Sequence, residues 1–146
     1  MILSKFVESF SELIFQSNIS VAELSKSLGC EKATIYRYLR GEKMPSVDMA
    51  IRMADYFSCS VDYLLGLEDE KYLRNFKPCP TFQEQLPILC EKLKTNKYQI
   101  QKRTGIAESA IYGWQKGTTS PNIDTLVKIA QAFDCSVDFI LGRSDI

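Results

Sequence analysis

The sequence predicts an all-α chain built as two consecutive five-helix domains. Three observations carry this expectation. The chain matches itself at an offset of 76 residues, so that Gly29–Gly66 overlays Gly105–Gly142 without a gap, and 15 of the 47 positions from Ser20 to Gly66 are identical to their partners. Apolar residues recur at spacings of three and four, the period of a helix with one buried face. Helix-capping side chains and glycines fall at corresponding points of the two copies. A repeat of this length exceeds the roughly 20–50 residues of a solenoid unit, so each copy is expected to hold its own core. The expected boundaries are 1–67 for the first domain, 68–80 for a linker and 81–146 for the second domain.

The elements follow in order. Leu3, Phe6, Val7, Phe10, Leu13 and Ile14 form the packing face of a first helix. Ser20 with Glu23, and Asn96 with Gln99, are capping pairs three residues apart that open a short second helix in each copy. Gly29 and Gly105 end it, because a residue without a Cβ takes the left-handed conformation of a sharp turn. A third helix spans about Glu31 to Arg40 and Ala107 to Lys116, anchored inward by Ile35 with Tyr38 or Leu39, and by Ile111 with Trp114. Gly41 and Gly117 stop it. Ser46 and Asn122 cap a fourth helix, with Val47, Ala50, Ile51, Ala54 and Phe57 inward, mirrored by Ile123, Leu126, Val127, Ala130 and Phe133. Ser60 and Ser136 cap a short fifth helix ending at Gly66 and Gly142. The second copy opens near Thr81, paired with Glu84, ahead of Leu86, Leu89, Cys90 and Leu93. Between the copies, Glu68-Asp69-Glu70-Lys71 is a charged run and Pro78-Cys79-Pro80 a stop; Asp69 to Phe76 is open either as extended chain or as continued helix.

Composition restricts the chemistry. The chain has 146 residues, no histidine and five cysteines. Cys30, Cys59, Cys79, Cys90 and Cys135 form no CxxC pair, which argues against zinc-finger spacing, histidine-activated nucleophiles and an even disulfide framework. Cys59 and Cys135 occupy equivalent apolar settings and read as core, whereas Cys79 reads as an exposed linker thiol. No Gly-rich phosphate loop or metal-ligand spacing occurs, so neither an enzyme nor a bound cofactor or metal is expected. No run approaches 18 apolar residues, and Lys5, Glu8 and Glu12 interrupt the N-terminal segment, so a cytoplasmic protein without membrane association is expected.

Two helices joined by a tight glycine turn, the second polar on its outer side, form the helix-turn-helix arrangement that places its second helix in the DNA major groove. The segments VAELSKSLGC, ATIYRYLRG, PSVDMAIRMADYF and SVDYLLG of copy one, and YQIQKRTGI, SAIYGWQKG, SPNIDTLVKIAQAF and SVDFILG of copy two, resemble successive motifs of the phage lambda repressor and Cro type, the XRE family. The resemblance covers all but the linker and the two ends. It implies lambda repressor-like domains that bind double-stranded DNA.

Carried over by position, the resemblance assigns base reading to Lys32, Ala33, Thr34 and Arg37 in copy one. Lys32 and Arg37 have donors for guanine O6 and N7, Thr34 bonds or packs, and Ala33 approaches a thymine methyl. The same positions in copy two hold Glu108, Ser109, Ala110 and Gly113, a weaker set, because Glu108 is repelled by phosphate and Gly113 offers no side chain. Phosphate positioning falls on Ser20, Val21, Arg40 and Lys43 in copy one and on Asn96, Lys97, Lys116 and Thr118 in copy two. Tyr36 and Tyr112 suit either sugar–phosphate contact or packing; Trp114 reads as core.

The formal net charge is zero, and the isoelectric point near 6.3 is not that of a typical nucleic-acid binder. Its distribution is uneven. Ser20–Ser46 carries +2 and Lys92–Pro121 carries +5, whereas Val47–Glu70 carries −5. Such segregation suits a polarised DNA-facing surface. The expected function is a transcriptional regulator of phage or bacterial repressor type. The alternative is an interaction module of antitoxin or anti-repressor type, in which the second copy serves a homodimer or a protein partner.

Overall fold

The computed structural model describes residues 2–69 and 76–145. The described residues form ten α-helices and no strand. The chain divides into two compact units, Met1–Arg74 and Asn75–Ile146. The charged run from Glu68 is described only through Asp69, and the choice between extended chain and helix over Asp69 to Phe76 falls mostly outside the described residues.

The first unit comprises α1 (Ile2–Ser17), α2 (Val21–Leu28), α3 (Lys32–Leu39), α4 (Val47–Tyr56) and α5 (Val61–Leu64). Its core is aromatic at the centre. Phe6 and Phe10, one turn apart on α1, stack at 5.3 Å between centroids, and Tyr38 of α3 and Phe57 meet them edge-on. Leu13, Leu24, Leu28, Ile35, Met53 and Leu64 close around this group. The sequence pattern on α4 is offset slightly from the observed face: Met53 is fully buried, while Val47 and Ile51 are half-buried.

The second unit comprises α6 (Phe82–Lys92), α7 (Lys97–Thr104), α8 (Glu108–Lys116), α9 (Ile123–Ala132) and α10 (Val137–Leu141). The helix pairs that pack in the first unit pack again here: first with third and fifth, second with third and fourth, fourth with fifth. Phe82 meets Trp114 edge-on at 5.4 Å, and Leu86, Leu89, Ile100, Ile111, Leu126 and Ile129 complete the core. Cys59 is buried, but its counterpart Cys135 is only half-buried, so the expectation of core placement fits Cys59 better.

Local punctuation agrees with the sequence in most respects. Ser20, Ser46, Ser60, Thr81, Asn96, Asn122 and Ser136 each accept a hydrogen bond from the backbone N–H three residues on. Among the described residues only Thr81 and Glu84 make the reciprocal capping box; at Ser20 and Asn96 the cap is one-sided. Four helix ends instead use a left-handed residue that is not glycine: Asn18, Ser58, Lys94 and Asp134. They form two equivalent pairs, 18 with 94 and 58 with 134, and end α1, α4, α6 and α9. Pro87 lies inside α6, where it lacks the N–H of a regular helical bond.

The start of the second unit is fastened to its end. Lys77 N–H donates to the Arg143 carbonyl at 2.8 Å, and the Arg143 guanidinium lies 4.0 Å from the centroid of the Phe76 ring. Arg143 and Asp138, both buried, are joined by a 2.7 Å hydrogen bond. The matching position of the first copy is Leu67.

Candidate nucleic-acid interface

In the first unit the turn between α2 and α3 is closed three ways. Gly29, at φ 71°, takes the left-handed conformation, and its N–H donates to the Lys26 carbonyl while Cys30 N–H reaches back to Ser25 at 3.0 Å. Arg52 of α4 adds a bond from Nη1 to the Leu28 carbonyl at 3.3 Å. Together these satisfy the last carbonyls of α2 and fix the direction in which α3 leaves.

α3 turns Ile35 and Tyr38 into the core. The helical period then sends Lys32, Ala33 and Arg37 to solvent, with Thr34 half-buried beside them. Lys32 and Arg37 donate no hydrogen bond and join no ion pair among the described residues. Glu31 precedes the helix without a side-chain cap; the Thr34 N–H donates to the Glu31 carbonyl at 3.0 Å, and the Lys32 and Ala33 N–H groups lie at the positive end of the helix dipole. The flanking candidates differ. Ser20, Arg40 and Lys43 are exposed and Val21 is half-buried, but Arg40 is already ion-paired with Glu42. That hydrogen bond holds the Glu42 carboxyl below the usual carboxylate range.

The second unit builds the same turn with other parts. Gly105, at φ 75°, donates to the Gln101 carbonyl at 2.8 Å. Lys128 replaces Arg52, and the end of α7 is held by Thr104, whose hydroxyl donates to the Ile100 carbonyl at 2.6 Å and accepts from Ile106 N–H at 3.2 Å. α8 buries Ile111 and Trp114, exposing Glu108, Ser109 and Tyr112, with Ala110 half-buried. Asn96 is exposed at the start of α7.

Its outer face is chemically different. Glu108 sits 3.6 Å from Lys97 Nζ. Lys97 and Lys116 lie over the exposed Tyr112 ring, at 5.9 and 5.2 Å from its centroid. At the position of Arg37 stands Gly113, and the loop after α8 closes on it. Thr118 and Thr119 N–H groups donate to the Gly113 carbonyl at 3.1 and 3.3 Å, and a Cβ on residue 113 would lie 2.4 Å from Thr119 Oγ1. The Gly113 loop contact, the Lys97–Glu108 pair and Lys97 over Tyr112 depend on contacts across a turn or loop, which helical periodicity does not encode; Lys116 over Tyr112 is an i,i+4 pair within α8.

A family model described as Helix-turn-helix matches residues 12–64 and, separately, residues 88–140. Over 62 residues the chain is 38% identical to "Uncharacterized HTH-type transcriptional regulator YobD" of Bacillus subtilis (strain 168), a stretch covering 42% of this chain and 55% of that protein. Over 58 residues it is 33% identical to "Repressor protein C2" of Salmonella phage P22, covering 40% of this chain and 27% of that protein. The matched stretches thus span about half and about a quarter of these relatives' lengths. No solved structure matches the chain.

Proposed function

The chain belongs to the helix-turn-helix family over both of its copies, and on that premise we propose that it is a sequence-specific double-stranded-DNA-binding transcriptional regulator. It uses two fused helix-turn-helix domains, 1–67 and 81–146, joined by residues 68–80. The observation that carries the reading is the α3 ridge: Lys32 and Arg37 are exposed cations that make no hydrogen bond or ion pair among the described residues, on a helix whose direction is fixed by Gly29 and Arg52. The planar Arg37 guanidinium, which feels the Glu42 carboxylate but makes no ion pair with it among the described residues, is available for two parallel bonds to guanine. The net positive charge of Ser20–Ser46 and Lys92–Pro121, set against the acidic Val47–Glu70, favours approach of a polyanion on the helix-turn-helix side. The names of the two relatives, a transcriptional regulator and a repressor, support the same reading.

Among the described residues no helix is long and apolar enough to cross a membrane. The site of action proposed is the cytoplasm, on the nucleoid when DNA is bound.

Selection from a random duplex pool tests the proposal. The full chain enriches a defined sequence, and its affinity falls steeply as salt rises, because each phosphate contact releases counterions. Recovery of no common sequence, with affinity flat across salt, overturns it. A second reading assigns the second copy to a homodimer or a protein partner, favoured by the masking of its Arg37-equivalent position at Gly113. Sedimentation of the full chain and of Tyr112→Glu tests its homodimer form, which requires an assembly that the substitution dissolves.

A further inference from the structure

We propose that the two copies divide the work of recognition, the first discriminating bases and the second gripping the sugar–phosphate backbone without reading sequence. The proposal rests on the DNA-binding reading above and concerns how that binding is distributed.

The reading positions of the two copies differ in their donors, and Ser109 in place of Ala33 is the one gain of the second copy. Where the first copy has Lys32, the second has Glu108; where the first has Thr34, the second has Ala110; where the first has Arg37, the second has Gly113. Lys32, Thr34 and Arg37 all have donors that reach base edges. Ala110 and Gly113 have none. Glu108 keeps an acceptor, but it stands 3.6 Å from Lys97 Nζ, and reaching a cytosine amine means leaving that cation for a surface lined with phosphate. Gly113 is more than a missing side chain. Thr119 Oγ1 occupies the space into which any Cβ at 113 would project, so a reading side chain there would first have to displace that hydroxyl.

What the second copy offers instead is suited to phosphate. Lys97 at the start of α7 and Lys116 at the end of α8 both lie over one ring, Tyr112. Thr118, Thr119 and Ser120 are exposed on the adjoining loop. The segment Lys92–Pro121 carries +5, more than the +2 of Ser20–Ser46. Ammonium groups and hydroxyls fix a protein on the duplex through phosphate oxygens, which are the same at every base pair. The first copy has three donors at these positions and the smaller charge; the second has the larger charge and, at the same positions, only the exposed Ser109 hydroxyl and the Lys97-paired Glu108.

The test uses the full chain and the duplex recovered from a random pool, with each base pair replaced in turn and helix content checked by circular dichroism. Replacements in one half of the site are expected to weaken binding about 5- to 150-fold. Replacements in the other half change it less than about 2-fold, within the scatter of a position that is not read. Arg37→Ala flattens one position in the sensitive half. Lys116→Ala weakens all duplexes alike and lowers the salt slope by about one, whereas Glu108→Ala strengthens all duplexes alike without altering the profile. Comparable sensitivity in both halves overturns the division, as does a Glu108→Ala profile changed at particular bases, or a Lys116→Ala chain that binds as the parent does. Absence of salt-dependent binding to any duplex overturns the DNA-binding reading and the division with it, whereas two sensitive halves leave the former standing.

Discussion

Gly113 and Thr119 are mutually dependent: a Cβ added at residue 113 would lie 2.4 Å from Thr119 Oγ1, while the Thr119 N–H donates to the Gly113 carbonyl at 3.3 Å. The glycine is therefore explained by the loop packed on it, since its helical backbone is one that any residue adopts. Helix propensity favours alanine over glycine by about 1 kcal/mol, and overpacking opposes it by about 1–3 kcal/mol. Gly113→Ala is expected to lower the stability of the second unit by up to about 2 kcal/mol, and the added change Thr119→Ala to reverse the loss. Trp114 is the single tryptophan and lies in that unit, so its fluorescence during urea unfolding follows this unit alone. Additive single and double variants would contradict the coupling.

Arg143 and Asp138 make the second prediction. Both are buried and bonded at 2.7 Å. Arg143→Leu places in the second copy the residue found at Leu67 of the first, and leaves the Asp138 carboxylate buried without that guanidinium. Removing one partner of a buried pair costs about 3–5 kcal/mol, whereas replacing both often costs little. Trp114 fluorescence should show a large loss for Arg143→Leu and a smaller one for Asp138→Asn with Arg143→Leu. Equal losses would mean that packing of Arg143 on Phe76, rather than charge pairing, holds this corner.

Thiol reactivity is the third. Burial raises the Cys30 thiol above its ordinary value, with Arg52 and Lys43 opposing less strongly, and burial raises Cys90 as well. A raised thiol pKa means less thiolate at any given pH. At pH 7 both should react with iodoacetamide more slowly than a free small-molecule thiol, the rate rising only at pH above the usual thiol range. Peptide mass spectrometry reads this site by site; labelling faster than the free thiol at pH 7 would contradict it.

Much of the helical architecture was legible because its causes are local. Ser20, Ser46, Ser60, Thr81, Asn96, Asn122 and Ser136 cap as their residue types predict, and Gly29 and Gly105 end their helices in the left-handed conformation. The ends at Asn18, Ser58, Lys94 and Asp134 were not, since nothing short-range distinguishes a left-handed serine or lysine from one in a helix. The exposed ridge of Lys32, Ala33 and Arg37 was readable from period alone. The Arg40–Glu42 pair, Lys97 over Tyr112 and the loop on Gly113 were not, because each depends on how a turn or loop returns to the helix, whereas Lys116 over Tyr112 is an i,i+4 pair within α8. Arg143 was invisible for a related reason: a lone arginine after a glycine reads as surface until Asp138 and Phe76 are brought around it.

The most direct measurement reverses the charge of the α3 ridge. Lys32→Glu with Arg37→Glu changes two exposed side chains that have no hydrogen bond or ion pair among the described residues, so helix content and the unfolding midpoint should stay close to those of the parent. Affinity of the full chain for its selected duplex, measured by fluorescence anisotropy at fixed salt, should fall by about 100-fold or more, through loss of base contacts and new repulsion from phosphate. A folded variant that binds the duplex within about 3-fold of the parent, a change far below one lost bidentate contact, would contradict the assignment of this ridge to DNA.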